Sequence, residues 1–166
     1  VAVYSSGPFE SPWNGSTELS DEHRTAPLDE ATARDLLRRA IEARANAYAR
    51  YSDFPVGAAL LARDGRIFTG VNVENASYGL GICAERSAIF TAVTAGAREF
   101  TAIAVVGPED EVECSPCGAC RQVLMEFEPA MIVVTPAGAG TRQRTVRELL
   151  PGAFEPSRLP GRGLPS

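Results

Sequence analysis

Two short segments hold side chains that could do chemistry together. Cys83-Ala84-Glu85-Arg86 comes first, and Cys117 follows Cys83 by 34 positions within Pro116-Cys117-Gly118-Ala119-Cys120. A Cys-x-x-Cys in the first turn of a helix puts both sulfurs on one face. A third cysteine at the start of another helix completes a three-thiolate corner. Tetrahedral Zn²⁺ with three protein ligands keeps one position open for water, whereas a fourth ligand closes it. Three thiolates on a divalent cation leave excess negative charge, which opposes deprotonation of a bound water. Helix N-termini offset this with roughly half a positive charge each. Arg86, three residues after Cys83, can donate hydrogen bonds to the thiolates from outside the ligand set. Glu85 and Cys83 diverge by about 200° on a regular helix. Both approach one metal only if it sits off the helix end, which leaves Glu85 free to carry protons. Cys114 overlaps the pair as a second Cys-x-x-Cys. It could be a fourth, site-closing ligand, but the expectation is a bystander thiol.

Composition removes competing chemistries. The 166 residues include 16 basic side chains, all Arg, so Schiff-base lysines and phosphate-loop lysines are excluded. His23 is the only histidine. It lies in a segment without periodicity, so it is expected to be inert and the metal to be held by thiolates. The net charge of −5 supplies no basic groove, which disfavours nucleic acid as a partner. No apolar run reaches the roughly 18–20 residues of a membrane helix, and no basic-plus-apolar leader is present. With Val1 in place of Met, processing or an alternative start codon is expected. Clustered thiols without a disulfide framework point to the cytoplasm.

The elements that must position these residues follow from local pattern. Residues 1–27 carry Pro, Gly and Ser without periodicity and are expected to be a disordered or surface-draped extension. Residues 155–166 form a similar tail, which leaves a domain of 28–154. A helix is predicted from Asp29 to Arg50, with Leu36, Leu37, Ala40, Ile41, Ala47 and Tyr48 on one side. Asp64-Gly65 between Val56–Ala62 and Arg66–Val73 reads as a hairpin. Ala84–Ala95 reads as a helix ended by Gly96, and Cys117–Phe127 as another. Thr101–Val106 and Met131–Thr135 are apolar runs suited to buried strands. Thr145–Leu150 is a short helix before Pro151-Gly152. The order α-β-β-α-β-α-β-α predicts a mixed sheet with helices on both faces, a three-layer α/β/α domain.

On these residues the chain resembles the zinc-dependent cytidine deaminases of the short, homotetrameric, three-cysteine type. The similarity runs through Tyr51-Ser52-Asp53-Phe54-Pro55-Val56-Gly57-Ala58-Ala59-Leu60-Leu61 and Asn72-Val73-Glu74-Asn75-Ala76-Ser77-Tyr78-Gly79. It continues through Ser115–Gln122 and Glu148–Phe154. The resemblance implies a cytidine deaminase-like fold with a central mixed five-stranded sheet. It implies Zn²⁺ on Cys83, Cys117 and Cys120, and proton transfer by Glu85 from water to cytosine N3 and then to departing ammonia. Asn72 and Glu74 would bind the ribose hydroxyls. Phe54 would pack against base or sugar, and Ala84 would offer backbone hydrogen bonds to the base edge. Phe154 would reach a neighbouring subunit's pocket, with Tyr78 near an intersubunit site. The implied reaction converts cytidine and 2′-deoxycytidine to uridine and 2′-deoxyuridine, in pyrimidine salvage. Two alternatives stay open: another aminopyrimidine nucleoside as substrate, such as a blasticidin-type antibiotic, and a noncatalytic zinc-binding scaffold.

Overall fold

Asp64 and Gly65 turn the chain sharply between its first two strands, with Gly65 at φ +88°. In the computed structural model, which describes residues 26–155, β1 (Gly57–Ala62) and β2 (Ile67–Val71) form that antiparallel hairpin. The tails expected over 1–27 and 155–166 fall outside the described residues, except for residues 26–27 and Glu155.

Helix α1 (Glu30–Arg44) precedes the hairpin. Asp29 caps it by accepting from the Thr32 N–H at 2.9 Å. Ala33, Leu36, Leu37 and Ala40 form its buried stripe. The helix stops six residues short of the predicted Arg50, and Ala47 and Tyr48 do not join its buried face. The backbone of Tyr48 pairs instead with the segment after β2. Its N–H donates to Asn72 O and its carbonyl accepts from Glu74 N–H, both at 2.9 Å. Those bonds replace the ones a longer helix would make.

Helix α2 (Ala84–Thr94) follows, and the chain then turns at Gly96, φ +86°. Next come β3 (Phe100–Val106), α3 (Gly118–Phe127), β4 (Ile132–Ala137), β5 (Gly140–Thr145) and α4 (Val146–Leu149). The sheet order is β2-β1-β3-β4-β5, with only β3 and β4 parallel. Strand β5 is absent from the pattern-based reading, although the family resemblance implies five strands. Its sequence, Gly-Thr-Arg-Gln-Arg-Thr, has no apolar run because it is an edge strand. Its arginines, Arg142 and Arg144, both pair with Glu113.

Apolar side chains divide between the two faces. Helix α1 buries its stripe against Ala59, Ala102, Ala104, Val106, Ile132 and Val134. On the opposite face, Ala88, Ile89 and Ala92 of α2 and Leu124 of α3 pack with Leu60, Ile103, Val105 and Val133. The layers are therefore α/β/α, as expected. One glycine makes the approach of α2 possible. A Cβ on Gly70 would lie 2.3 Å from Ala88 N and 2.4 Å from Ala84 O, so only glycine lets α2 rest on β2.

Candidate active site

The first turns of α2 and α3 converge. Cys83 is the N-cap of α2 and Cys117 the N-cap of α3. Their carbonyls accept the first helical hydrogen bonds, from Ser87 and Arg121, each at 3.0 Å. Neither thiol is used as a side-chain cap, so both sulfurs are free to face each other, 4.0 Å apart. Cys120, one turn into α3, is fully buried. The three sulfurs all lie within 4.8 Å of one another. Zn–S bonds of about 2.3 Å at tetrahedral angles require sulfurs roughly 3.8 Å apart. The donor set and spacing therefore fit zinc.

Electrostatics point the same way. The Cys120 thiol is pushed well above the usual range, first by burial, then by the charges of Glu85, Cys83 and Cys117. Burial and surrounding negative charge at the Cys120 sulfur favour a cation beside it. Arg86 Nη2 donates to Cys83 Sγ at 3.3 Å, in the place its spacing predicts. Its Nε is buried without a partner. Cys114 does not belong to the three-sulfur group. It packs at the edge of the α2–α3 core and beside Gly107.

Glu85 is 4% exposed, the only buried carboxylate among the described residues. Burial raises its pKa above the usual carboxylate value, partly opposed by hydrogen bonding and by the Arg86 charge. A carboxyl in that environment exchanges protons more readily near neutrality than an exposed one. Its charge is also felt at Cys114. Cys114 in turn approaches Phe54 across Gly107: a Cβ built there would lie 3.2 Å from Cys114 Sγ and 3.5 Å from Phe54 Cζ. The Phe54 ring thus stands near the Cys114 thiol, on the other side of Gly107.

Asn72 and Glu74 both reach the segment 51–56. Asn72 Oδ1 accepts from Val56 N–H at 2.8 Å and its Nδ2 donates to Phe54 O at 2.9 Å. Glu74 Oε2 accepts from the N–H groups of Tyr51 at 2.8 Å and Ser52 at 3.2 Å. Its Oε1 accepts from the Ser52 hydroxyl. A cleft of about 360 Å³ opens here, lined by Tyr51, Ser52, Glu74, Asn75, Tyr78 and Gly81. That volume suits a small ligand. Ala84 is buried at the start of α2, beside Glu85. Phe154 stands apart, 59% exposed, with its carbonyl accepting from Gln122 Nε2 at 2.8 Å. Tyr78 is 83% exposed, its ring 6.4 Å from that of Tyr51.

Sequence reasoning missed two residues. Ser52 engages Glu74 but carries no signal beyond a common residue type. Arg121 donates to Pro116 O and Leu149 O at 2.7 Å and to Ser115 Oγ at 3.1 Å. Its position directly after Cys120 was the available hint.

A three-sulfur corner beside a buried carboxylate defines a metal-assisted hydrolytic centre. Residues 30–135 match the family described as the cytidine and deoxycytidylate deaminase zinc-binding region. The chain belongs to this family. It is 50% identical over 121 residues to a cytidine deaminase of Halalkalibacterium halodurans, covering 72% of this chain and 91% of that one. A cytidine deaminase of Sporosarcina psychrophila is 48% identical over 126 residues, covering 75% and 92%. Among solved structures, cytidine deaminase from Burkholderia pseudomallei superposes with a TM-score of 0.69 at 51% identity, covering 73% of this chain and 98% of that one. The Mycobacterium tuberculosis enzyme gives 0.67 at 40% identity, covering 77% and 98%.

Proposed function

We infer that this chain is a zinc-dependent hydrolase that converts cytidine and 2′-deoxycytidine to uridine and 2′-deoxyuridine, releasing ammonia. The observation that carries this reading is Glu85, buried at the start of α2 beside a three-sulfur corner formed by two converging helix starts. Cys83, Cys117 and Cys120 would hold the metal. Bound zinc supplies Lewis acidity that lowers the pKa of water.

The protein's own groups supply the rest. Glu85 takes a proton from the attacking water and delivers it to N3 of the base. The water oxygen adds to C4. Glu85 then passes the second water proton to the amino group. The C4–N bond breaks, ammonia leaves, and a carbonyl remains at C4 with the N3 proton in place. Arg86 offsets thiolate charge through Cys83. Ala84 presents backbone groups to the base edge, Phe54 packs on the base or sugar, and Asn72 and Glu74 take the ribose hydroxyls.

The working unit is a homotetramer in the cytoplasm, serving pyrimidine salvage. Tyr78, Leu80 and Phe154 are 83%, 72% and 59% exposed, and a neighbouring copy would cover such side chains. Phe154 would then complete a partner's pocket. The decisive experiment measures loss of cytidine absorbance on adding purified protein, with zinc content and sedimentation in parallel. One zinc per chain and stoichiometric ammonia are expected. Cys117→Ala should lose both metal and turnover, and full turnover in that variant would overturn the reading.

A further inference from the structure

Ser52 has no role in the mechanism above, yet it ties together the two residues proposed to meet the sugar and base. Its hydroxyl donates to Glu74 Oε1 and accepts from Phe54 N–H at 3.1 Å. Its own N–H donates to Glu74 Oε2 at 3.2 Å. Between Ser52 and Phe54 lies Asp53, at φ +53°, the only non-glycine with positive φ among the described residues. Aspartate enters that left-handed region more readily than most residues with a side chain, and its neighbours here hold it there. The Asp53 N–H is held by Ala49 O at 2.9 Å, and the Phe54 N–H by the Ser52 hydroxyl.

The Glu74 carboxylate has about four lone-pair sites. Tyr51 N–H, Ser52 N–H and the Ser52 hydroxyl take three of them. The carboxylate lies on the wall of the cleft with capacity for one more donor, as a sugar hydroxyl would supply. Its pKa is lowered, chiefly by the Ser52 hydroxyl and then by the Tyr51 amide, so it stays an acceptor at neutral pH.

We propose that Ser52 is a positioning residue for substrate binding: its hydroxyl aims the Glu74 carboxylate and locks the Asp53 turn, so that Glu74 and Phe54 meet the nucleoside as one preformed unit. This rests on the reading of Glu74 and Phe54 as nucleoside-binding residues. A preformed site avoids the ordering cost of binding, so the effect belongs in substrate affinity rather than in the chemical step.

The test is a double-mutant cycle on the zinc-loaded protein with Ser52→Ala, Glu74→Gln and the combined variant. Initial rates on cytidine and calorimetric binding of uridine are the readouts. Ser52→Ala should raise KM and weaken uridine binding about 10-fold, with kcat within about two-fold of the unmodified chain. Ser52→Thr, which keeps the hydroxyl, should restore KM, whereas Ser52→Val should not. This matched pair serves if the alanine variant melts too low to assay. Because part of the Ser52 effect runs through Glu74, the combined variant should lose less affinity than the product of the two single losses. Independent, multiplying losses would overturn the proposal, as would an unchanged KM in Ser52→Ala while Glu74→Gln raises it. If Glu74→Gln itself leaves KM and uridine binding unchanged, the nucleoside-binding reading of Glu74 fails, and the positioning role fails with it.

Discussion

At the scale of single residues, burial separates Glu85 from every other described acidic side chain. Its neighbours in sequence are both committed elsewhere: Ala84 to the core and Arg86 to the Cys83 sulfur. Glu85→Gln keeps the shape and removes the proton acceptor, so turnover should fall at least about 100-fold. Zinc content and melting temperature should stay close to those of the parent, which separates lost chemistry from lost structure. Glu74 gives a prediction in pH. Its pKa lies below 4.5, lowered chiefly by the Ser52 hydroxyl. A carboxylate with a lowered folded-state pKa contributes stability that is fully present above the unfolded value and fades as pH falls through the folded one. The melting difference between the parent and Glu74→Gln should therefore be constant from neutrality down to about pH 5 and shrink only below 4.5. A difference that already declines between pH 7 and 6 would contradict that assignment.

At the scale of elements, the close seat of α2 on β2 decides where Cys83 and Glu85 stand. Gly70→Ala forces a methyl into the backbone of Ala84 and Ala88. Overpacking of this kind costs about 1–3 kcal/mol, and here it also pushes the first turn of α2 away from α3. Both denaturation midpoint and zinc content should drop. Gly118→Ala is the matched control, since a Cβ there meets nothing within 4 Å although it sits between two of the metal-corner cysteines. The helices and buried strands were readable because their signals are local: the Asp29 cap, the Asp-Gly turn, the apolar runs of β3 and β4. Strand β5 was not, because an edge strand rich in Arg and Thr buries too little to show alternation. The end of α1 was not, because Tyr48 is claimed by residues 72 and 74, a contact no window of sequence contains. For the same reason the sulfurs, Glu85 and Arg86 could be grouped from spacing, while the grip of Ser52 and Arg121 on distant backbone could not.

At the scale of the molecule, the metal corner sits at the rim of the core, with Cys120 buried, Cys83 half-buried and Cys117 exposed. Neither apolar cluster includes Cys83, Cys117 or Cys120. Stripping the protein with a chelator should leave its helix and sheet dichroism intact. The thermal midpoint should fall, because a ligand that binds only the native state stabilises it by mass action. Readdition of zinc should restore the midpoint. Collapse of the far-ultraviolet signal on chelation would mean that the metal holds the fold itself. No helix among the described residues is long and apolar enough to cross a membrane.

The convergence of α2 and α3 also divides the three sulfurs by how far the chain must fold to bring them together. Cys117 and Cys120 are neighbours in the chain and can present two sulfurs as soon as one helical turn forms. Cys83 stands 34 positions upstream of Cys117, with all of β3 between them, so the third sulfur joins only by closing a loop through the sheet. Two of the three sulfurs are thus a local feature of the chain, and the third is a product of its tertiary fold.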